Sequence, residues 1–397
     1  MLIVCCTASP SLPPGLKAAA AAGRPFISFE FFPPKTDQGV QNLFKRLGRM
    51  KHQQPMFVDF TWGAGGSTSD KTLMLAVRAQ KDHGLVSNMH LTCTNMEVEK
   101  LTTALEGAKA QGIKNIVALR GDPPRGEKKW EATEGGFTCA LDLVKYIRKE
   151  YDAGDFGISV AGYPEGHPLT IKPVAEITAK RELSAAEKGR LVTFEDGTEH
   201  VCSDEDYQGE LAYLKQKVDA GADFVITQMF FDVDVYTAFV AACRAAGIHC
   251  PIVPGIMILQ GYGGFKRMTG FCKSRVPREV WTALEPIKDD GDKVKQYGIE
   301  IGTALCRTLL ERGAPGLHFY TCNLEKATLG IMGNLGMRRA VPKAETLAQS
   351  VDKETRYSEI KGTILSDSYD QVGLALRKEK EAAALKAAGG AAETSDA

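Results

Sequence analysis

Eight short runs rich in β-branched and aromatic residues recur along the chain, and each ends on a polar residue or a turn. They are FISFEFF (26–32), FVDFTW (57–62), SNMHLTC (87–93), NIVALRGD (115–122), GISVAGY (157–163), DFVITQ (223–228), PIVPGIM (251–257) and GLHFYT (316–321). Apolar runs of this length, bounded by turn signals, read as buried strands. Six of the connecting stretches carry a helical period over ordinary helix lengths. Glycines close several of those helices just before a strand: Gly84, Gly112, Gly221, Gly247 and Gly313. A glycine in the left-handed position followed by a short loop is the usual αβ connection.

Strands alternating with helices, without hairpin reversals, predict an α/β fold closed into a (β/α)8 TIM barrel, favoured over an open doubly wound sheet. Chemistry in such a barrel sits at the C-terminal strand ends. Here those ends carry Glu30, Thr61, His90, Asp122, Tyr163, Gln228, Gln260 and Tyr320. The chain has 397 residues, more than one barrel needs. Residues 1–24 include AAAAAG, and the part after residue 375 drifts into Ala, Lys, Glu and Gly, so both ends read as frayed helix or disorder. One domain at 25–340, flanked by extensions at 1–24 and 341–397, is the expectation.

Formal net charge is zero and no Lys/Arg block stands out, which removes the electrostatic footprint of a nucleic-acid binder. No apolar run approaches the ~20 residues that span a bilayer. The N-terminus lacks acids before Glu30 but offers only Lys17 and Arg24 as bases, so a cytoplasmic location is favoured over organelle import. Ten cysteines occur without a CxxC pair, and seven histidines without HExxH. Reduced, buried thiols and no metal are expected.

Glu30 is the sharpest chemical signal, because FEFFPP sets one carboxylate among phenylalanines and prolines at a strand end. Alternation turns Phe29 and Phe31 to one face and Glu30 to the other. An inward carboxyl in an apolar setting is costly to ionise and suits a general acid, although a barrel salt bridge would also account for it. Asp122 in RGDPP follows Arg120, with two prolines to stiffen the turn; alone it is a weak signal, as such pairs are often structural. TWGAGGSTSDKT (61–72) runs through glycines into a helix, with Ser67 and Asp70 spaced as a capping box. Its amides suit a phosphate, and a plain glycine-rich turn explains them equally well. Gly135 and Gly136 open a helix where Ala140 lets a flat ligand approach closely. Tyr163 and His167 in AGYPEGHP can stack on a ring and bond to a phosphate or carbonyl. Glu210 and Lys217 share one helical face, for which a solvated charge stripe is the default. Gln228, an amide ending an apolar run, calls for a partner with donor and acceptor edges.

Taken together, FEFFPP, FVDFTWGAGGS, HLTCTN, ALRGDPP, VAGYPEGHP, GADFVITQMFF, PIVPGI and LHFYT resemble the methylenetetrahydrofolate reductase family, from about residue 24 to about 338, with wording closest to its plant and fungal branch. The resemblance implies an FAD enzyme that takes hydride from NADH or NADPH and passes it to 5,10-methylenetetrahydrofolate. The product would be 5-methyltetrahydrofolate, for methionine synthesis. It implies Glu30 as the general acid of folate ring opening and Asp122 as the carboxylate near the flavin pyrimidine edge and the folate. Thr61, Trp62, His90, Arg120, Gly121, Cys139, Ala140, Tyr163, His167, Glu210 and Lys217 fall on flavin positions, with Lys217 toward the phosphates. Gln228, Gln260 and Tyr320, with Asp122, fall on substrate positions.

Three residues depart from the family pattern. Leu324 stands where many members have an arginine, Glu210 where an aspartate is common, and Ile258 where a proline is expected, which unsettles the placement of Gln260. The charged stretch 172–204 is longer than in relatives and reads as a solvated insertion ahead of a lid. Eukaryotic relatives continue into a domain that binds S-adenosylmethionine; residues 341–397 are too few for one, so insensitivity to that ligand is expected. Another flavin-dependent barrel, such as a proline-dehydrogenase-like oxidase, and an idle flavin- or folate-binding regulator are the competing readings. Small-molecule substrates are the expected partners, homo-oligomerisation is left open, and Glu30 with Asp122 weighs against both alternatives.

Overall fold

The computed structural model describes residues 11–63, 68–93, 96–122 and 133–340. In chain order the strands are β1 (Phe26–Phe31), β2 (Phe57–Phe60), β3 (Ser87–Thr92), β4 (Asn115–Leu119), β5 (Gly157–Gly162), β6 (Ile171–Pro173), β7 (Val192–Thr193), β8 (Glu199–Cys202), β9 (Phe224–Thr227), β10 (Ile252–Val253), β11 (Gly255–Met257) and β12 (Gly316–Tyr320). The helices are α1 (Leu12–Ala21), α2 (Asp37–Met50), α3 (Ser69–His83), α4 (Val98–Ala110), α5 (Ala140–Glu150), α6 (Val174–Thr178), α7 (Ala185–Gly189), α8 (Asp204–Asp219), α9 (Val233–Ala245), α10 (Tyr262–Cys272), α11 (Arg278–Leu284), α12 (Gly291–Glu311) and α13 (Lys326–Asn334). No helix of the described residues is long and apolar enough to cross a membrane.

All eight runs become strands of one parallel sheet, in the order β10-β9-β5-β4-β3-β2-β1-β12-β11. Its two outermost members are halves of a single run. Pro254 has no N–H to donate and splits that run, so β10 pairs with β9 while β11 pairs with β12. The divided seventh strand therefore joins the sixth to the eighth and closes the barrel. At the seam the backbone passes so close that a Cβ on Gly255 would lie 2.5 Å from Tyr320 Oη. The five helix-closing glycines have φ between 67° and 116°, the region that favours glycine.

Alternation sorts each strand between two cores. Phe29, Phe31, Val58, Phe60, Leu91, Ile116 and Phe319 pack outward against the helices. Phe26, Phe57, Phe224 and Val253 turn to the axis at the N-terminal end, where Leu12 and Leu16 of α1 join them. The Leu12 N–H donates to Asn115 Oδ1 at 2.8 Å. Residues 12–21, expected to fray, are thus helical: Pro13 and Pro14 sit in a first turn that tolerates missing donors, and the buried leucines stopper the barrel. Above this layer the axis turns polar, with Ser28, Asn88, Ser159 and His318 all fully buried. Val, Ile and Leu usually fill that depth; polar side chains there mark the floor of a site.

The stretch from 172 to 204 corrects a second expectation. It is folded, with β6, β8 and β7 forming a three-stranded antiparallel sheet. Within it Glu187 is fully buried, accepts from Arg181 and from the Asp204 and Ser184 N–H groups, and closes a capping box with Ser184. The Arg190 guanidinium covers the Tyr207 ring at 4.0 Å and pairs with Asp204. Across the mouth, Glu195 contacts Lys266 and Tyr262 of α10. Most of its lysines and glutamates remain solvent-exposed, on the surface of a folded, cross-linked unit.

Candidate active site

Every residue that the resemblance assigned to the chemistry, the flavin or the substrate lines one cavity of about 1090 Å³ at the C-terminal mouth of the barrel, whereas Asp70, Gly135 and Gly136 do not line it. Pockets for drug-sized ligands run to roughly 1,000 Å³, so this one admits a large ligand or two smaller ones.

The floor is built by β1, β2, β3 and β12. Glu30 points inward, as alternation requires, but its surroundings differ from the apolar setting expected. Its Oε2 lies 3.5 Å from His90 Nε2 and 3.7 Å from His318 Nε2. Asp59, beside it on β2 and fully buried, lies 3.3 Å from His90 Nε2 and 3.7 Å from His318 Nε2. The phenylalanines either side of Glu30 face the helices, so the residues flanking it in sequence are not its neighbours in space. His318 is held by Ser28 through Nδ1 at 2.9 Å. Burial opposes a charge on His90, yet its hydrogen bond to Asp59 and the nearby Glu30 charge outweigh that and hold its pKa above the ordinary value.

One wall comes from β2 to β5 with α5 and α8, and carries Thr61, Trp62, Arg120, Gly121, Cys139, Ala140, Tyr163, His167, Glu210 and Lys217. The charged face of α8 is no solvated stripe. Lys217 is buried, and its ammonium donates to Ala161 O at 2.9 Å and sits 4.9 Å from the Tyr213 ring centroid. Burial lowers its pKa to about 8, with Glu210 opposing the shift. Burial likewise raises Glu210, with Lys217 opposing. His167 packs edge-on to Tyr163 at 4.8 Å, and burial with the positive charges of Arg120 and Lys217 lowers its pKa to about 4, leaving it neutral at pH 7. Burial, then the charge of Asp122, raises Tyr163 to about 12. Asp122 itself is exposed at the rim. The prolines that follow it lie outside the described residues, as do residues 64–67 with Ser67 of the expected capping box; α3 starts from Thr68 instead.

The opposite wall carries Gln228, Gln260 and Tyr320. Gln228 Oε1 accepts from the Met229 N–H at 3.0 Å, which leaves its NH₂ edge for a ligand. Gln260 Nε2 donates to Thr321 O at 3.1 Å, and Ile258 is buried and lines the same cavity. Tyr320 donates to Thr227 O at 2.6 Å. Leu324 lies just past β12 and is 46% exposed. There Cys322 and Asn323 both adopt positive φ, and the Asn323 amide pairs with both backbone groups of Phe32. Left-handed non-glycine residues are uncommon and gather at functional mouths.

Sequence reading missed Asp59, His318 and Thr92. The signal was present in two of them: an aspartate inside FVDFTW and a histidine inside GLHFYT break apolar runs just as Gln228 does. Among the described residues, Asp59 Oδ1, His318 Nε2, Trp62 Nε1 and Thr92 Oγ1 are buried without a hydrogen-bond partner.

The family model described as methylenetetrahydrofolate reductase matches residues 15–336. A rice protein (Oryza sativa subsp. japonica) named probable methylenetetrahydrofolate reductase (NADH) is 52% identical over 323 residues, covering 81% of this chain and 50% of its own length. Methylenetetrahydrofolate reductase 1 of Schizosaccharomyces pombe is 43% identical over 311 residues, 78% of this chain and 46% of that protein. The 5,10-methylenetetrahydrofolate reductase of Pectobacterium carotovorum is 33% identical over 327 residues, 82% of this chain and 95% of that protein. The chain spans about half the length of the plant and yeast relatives it matches.

Proposed function

The chain belongs to the methylenetetrahydrofolate reductase family, and we propose that its barrel reduces 5,10-methylenetetrahydrofolate to 5-methyltetrahydrofolate, with FAD bound at the mouth and a reduced nicotinamide nucleotide as electron source. The plant relatives at 50–52% identity carry NADH in their names, and a nematode relative at 36% carries NADPH, which favours NADH here. The methyl-bearing product would supply methionine synthesis. The observation that carries this reading is the convergence of Glu30, Asp122, Gln228 and Tyr320, from four different strand ends, on the cavity whose other wall holds a buried cation.

The wall fits a flavin on its donor chemistry. Trp62 Nε1 and Thr92 Oγ1 are buried donors without partners, as the rim of a polar heteroaromatic ring would require. Arg120 and Lys217 supply positive charge for a pyrophosphate, and Ala140 with Gly121 keeps the approach open. A flavin bound there would supply the hydride relay between nucleotide and folate. The chain's own part is to orient, to exclude water and to move a proton. Glu30 stands at the floor, where it can give a proton to the folate ring nitrogen whose C–N bond must open. Gln228 offers its NH₂ edge to whichever ligand occupies the mouth, and Tyr320, locked on Thr227, holds the pterin side.

The test is to purify the chain, load FAD, add NADH or NADPH without oxygen, and then add 5,10-methylenetetrahydrofolate. Bleaching by NADH, recovery on folate addition and chromatographic 5-methyltetrahydrofolate are expected. A protein that takes up FAD and is bleached by nucleotide but forms no methyl product would overturn the reading.

A further inference from the structure

Asp59 has no part in the proposed reaction, yet it is fully buried at the floor. Its Oδ2 lies within 3.7 Å of both His90 Nε2 and His318 Nε2, and its Oδ1 has no hydrogen-bond partner among the described residues. Glu30 Oε2 reaches the same two nitrogens within 3.7 Å. Two carboxyls from β1 and β2 therefore face two imidazoles from β3 and β12. From β4, the register partner of His90 is the apolar Val117, and Tyr320 of β12 packs on His318 at 5.2 Å.

An ionised carboxylate removed from water costs several kcal/mol unless a counter-charge compensates it. For Asp59 the counter-charges within 4 Å are the two imidazoles. Of the four groups, His90 is the one best placed to carry a proton, because burial opposes its charged form but Asp59 and Glu30 together prevail. Folate reduction takes one proton from Glu30 in each turnover and leaves a carboxylate with ligands above it.

We propose that Asp59 is a positioning residue for proton delivery: it holds the His90 Nε2–H between itself and Glu30, so that His90 re-protonates Glu30 after each folate reduction. The step breaks an N–H bond and forms an O–H bond at Glu30 Oε2. No electron is transferred. His90, left neutral, regains its proton from solvent when product leaves the mouth, which His90 lines. The inference rests on the folate-reductase reading and deepens it.

The variants are Asp59→Asn, which keeps the shape and removes the charge, and Asp59→Ser, should the first fail to fold. His90 is titrated by ¹⁵N-histidine NMR in the protein without flavin, a readout independent of activity. The two half-reactions are then followed against pH by stopped flow. The expected result is a lower His90 midpoint, flavin bleaching by NADH within about twofold of wild type, and a folate half-reaction at least about tenfold slower at pH 8. Its alkaline limb should move down by about one pH unit or more. In a His90→Gln background, Asp59→Asn should add little further slowing. An unmoved His90 midpoint with an unmoved alkaline limb would overturn the role of Asp59. Equal slowing of both half-reactions in both variants would also overturn it, by showing a structural role alone. If the wild type makes no methyl product, the folate reading fails, whatever the NMR titration shows.

Discussion

Replacing Lys217 with methionine should strengthen the empty barrel while weakening its grip on cofactor. The ammonium is buried against Ala161 O and the Tyr213 ring, and burial lowers its pKa from 10.5 to about 8. At 1.36 kcal/mol per unit, that shift sets a cost of about 3 kcal/mol for keeping the charge inside at neutral pH. The unfolded chain binds more protons than the folded one between pH 8 and 10.5, so wild-type stability rises with pH through that window. Methionine has no such term. Glu210 would lose the charge that opposes its upward shift and would take up a proton more readily, which takes back part of the gain. The net expectation is that Lys217→Met stabilises the flavin-free protein by about 1–3 kcal/mol at pH 7, with the advantage fading by pH 10.5. FAD affinity should fall by roughly tenfold to a hundredfold, the value of one hydrogen bond to a charged group. Urea unfolding at pH 7, 8.5 and 10, with Glu210→Gln/Lys217→Met as the control free of the stranded acid, measures the first effect; fluorescence titration with FAD measures the second. A variant less stable than wild type at pH 7 in both backgrounds, or an advantage that does not shrink as pH rises, would refute the assignment of Lys217 as a charge held in place for a ligand.

Glu30→Gln should leave bleaching by the nucleotide largely intact and slow the folate half-reaction by roughly 10²–10⁴-fold, because only that step needs a proton donor; equal slowing of both would place the acid elsewhere. Glu165 is buried where the loop after β5 meets Arg275, and burial raises its pKa from 4.5 to about 8. The folded state then binds more protons between pH 4.5 and 8, so wild-type stability falls as pH rises through that range, and Glu165→Gln should be more stable at pH 8 by roughly 2–4 kcal/mol, with no difference near pH 4 in urea titrations. Gly255→Ala forces a Cβ to within 2.3 Å of Thr227 O at the seam of the barrel. It should cost roughly 2–4 kcal/mol, as overpacked and strained sites do, and raise the folate KM through displaced Tyr320; an unchanged Tm would show that the seam yields freely.

Much of this protein is legible in one dimension because strand periodicity, glycine C-caps and turn chemistry act over a few residues. The eight runs, their parallel order and the glycines at positive φ follow from local preferences alone. The inward aim of Glu30 follows from the two-residue period of a strand. Strand ends also converge by topology, which is why residues as distant as Thr61, Lys217 and Tyr320 meet in one cavity. What the period does not carry is who stands opposite. FEFFPP suggested an apolar pocket for Glu30, but the adjacent phenylalanines belong to the outer core, and its true neighbours come from strands up to 288 residues away, at Asp59, His90 and His318. Composition misled in the same way along α8, where charge implied solvent but Lys217 is buried, and at Glu187 within the otherwise largely exposed stretch 172–204. Pro254 is visible in the sequence as a strand breaker, while its consequence, a split strand that joins the two edges of the sheet, exists only once the barrel has curled. Local chemistry determined the elements and the face each residue takes; the partners of the buried charges were decided by closure of the sheet, because a charge responds to what lies within a few ångströms in space and not to its neighbours along the chain.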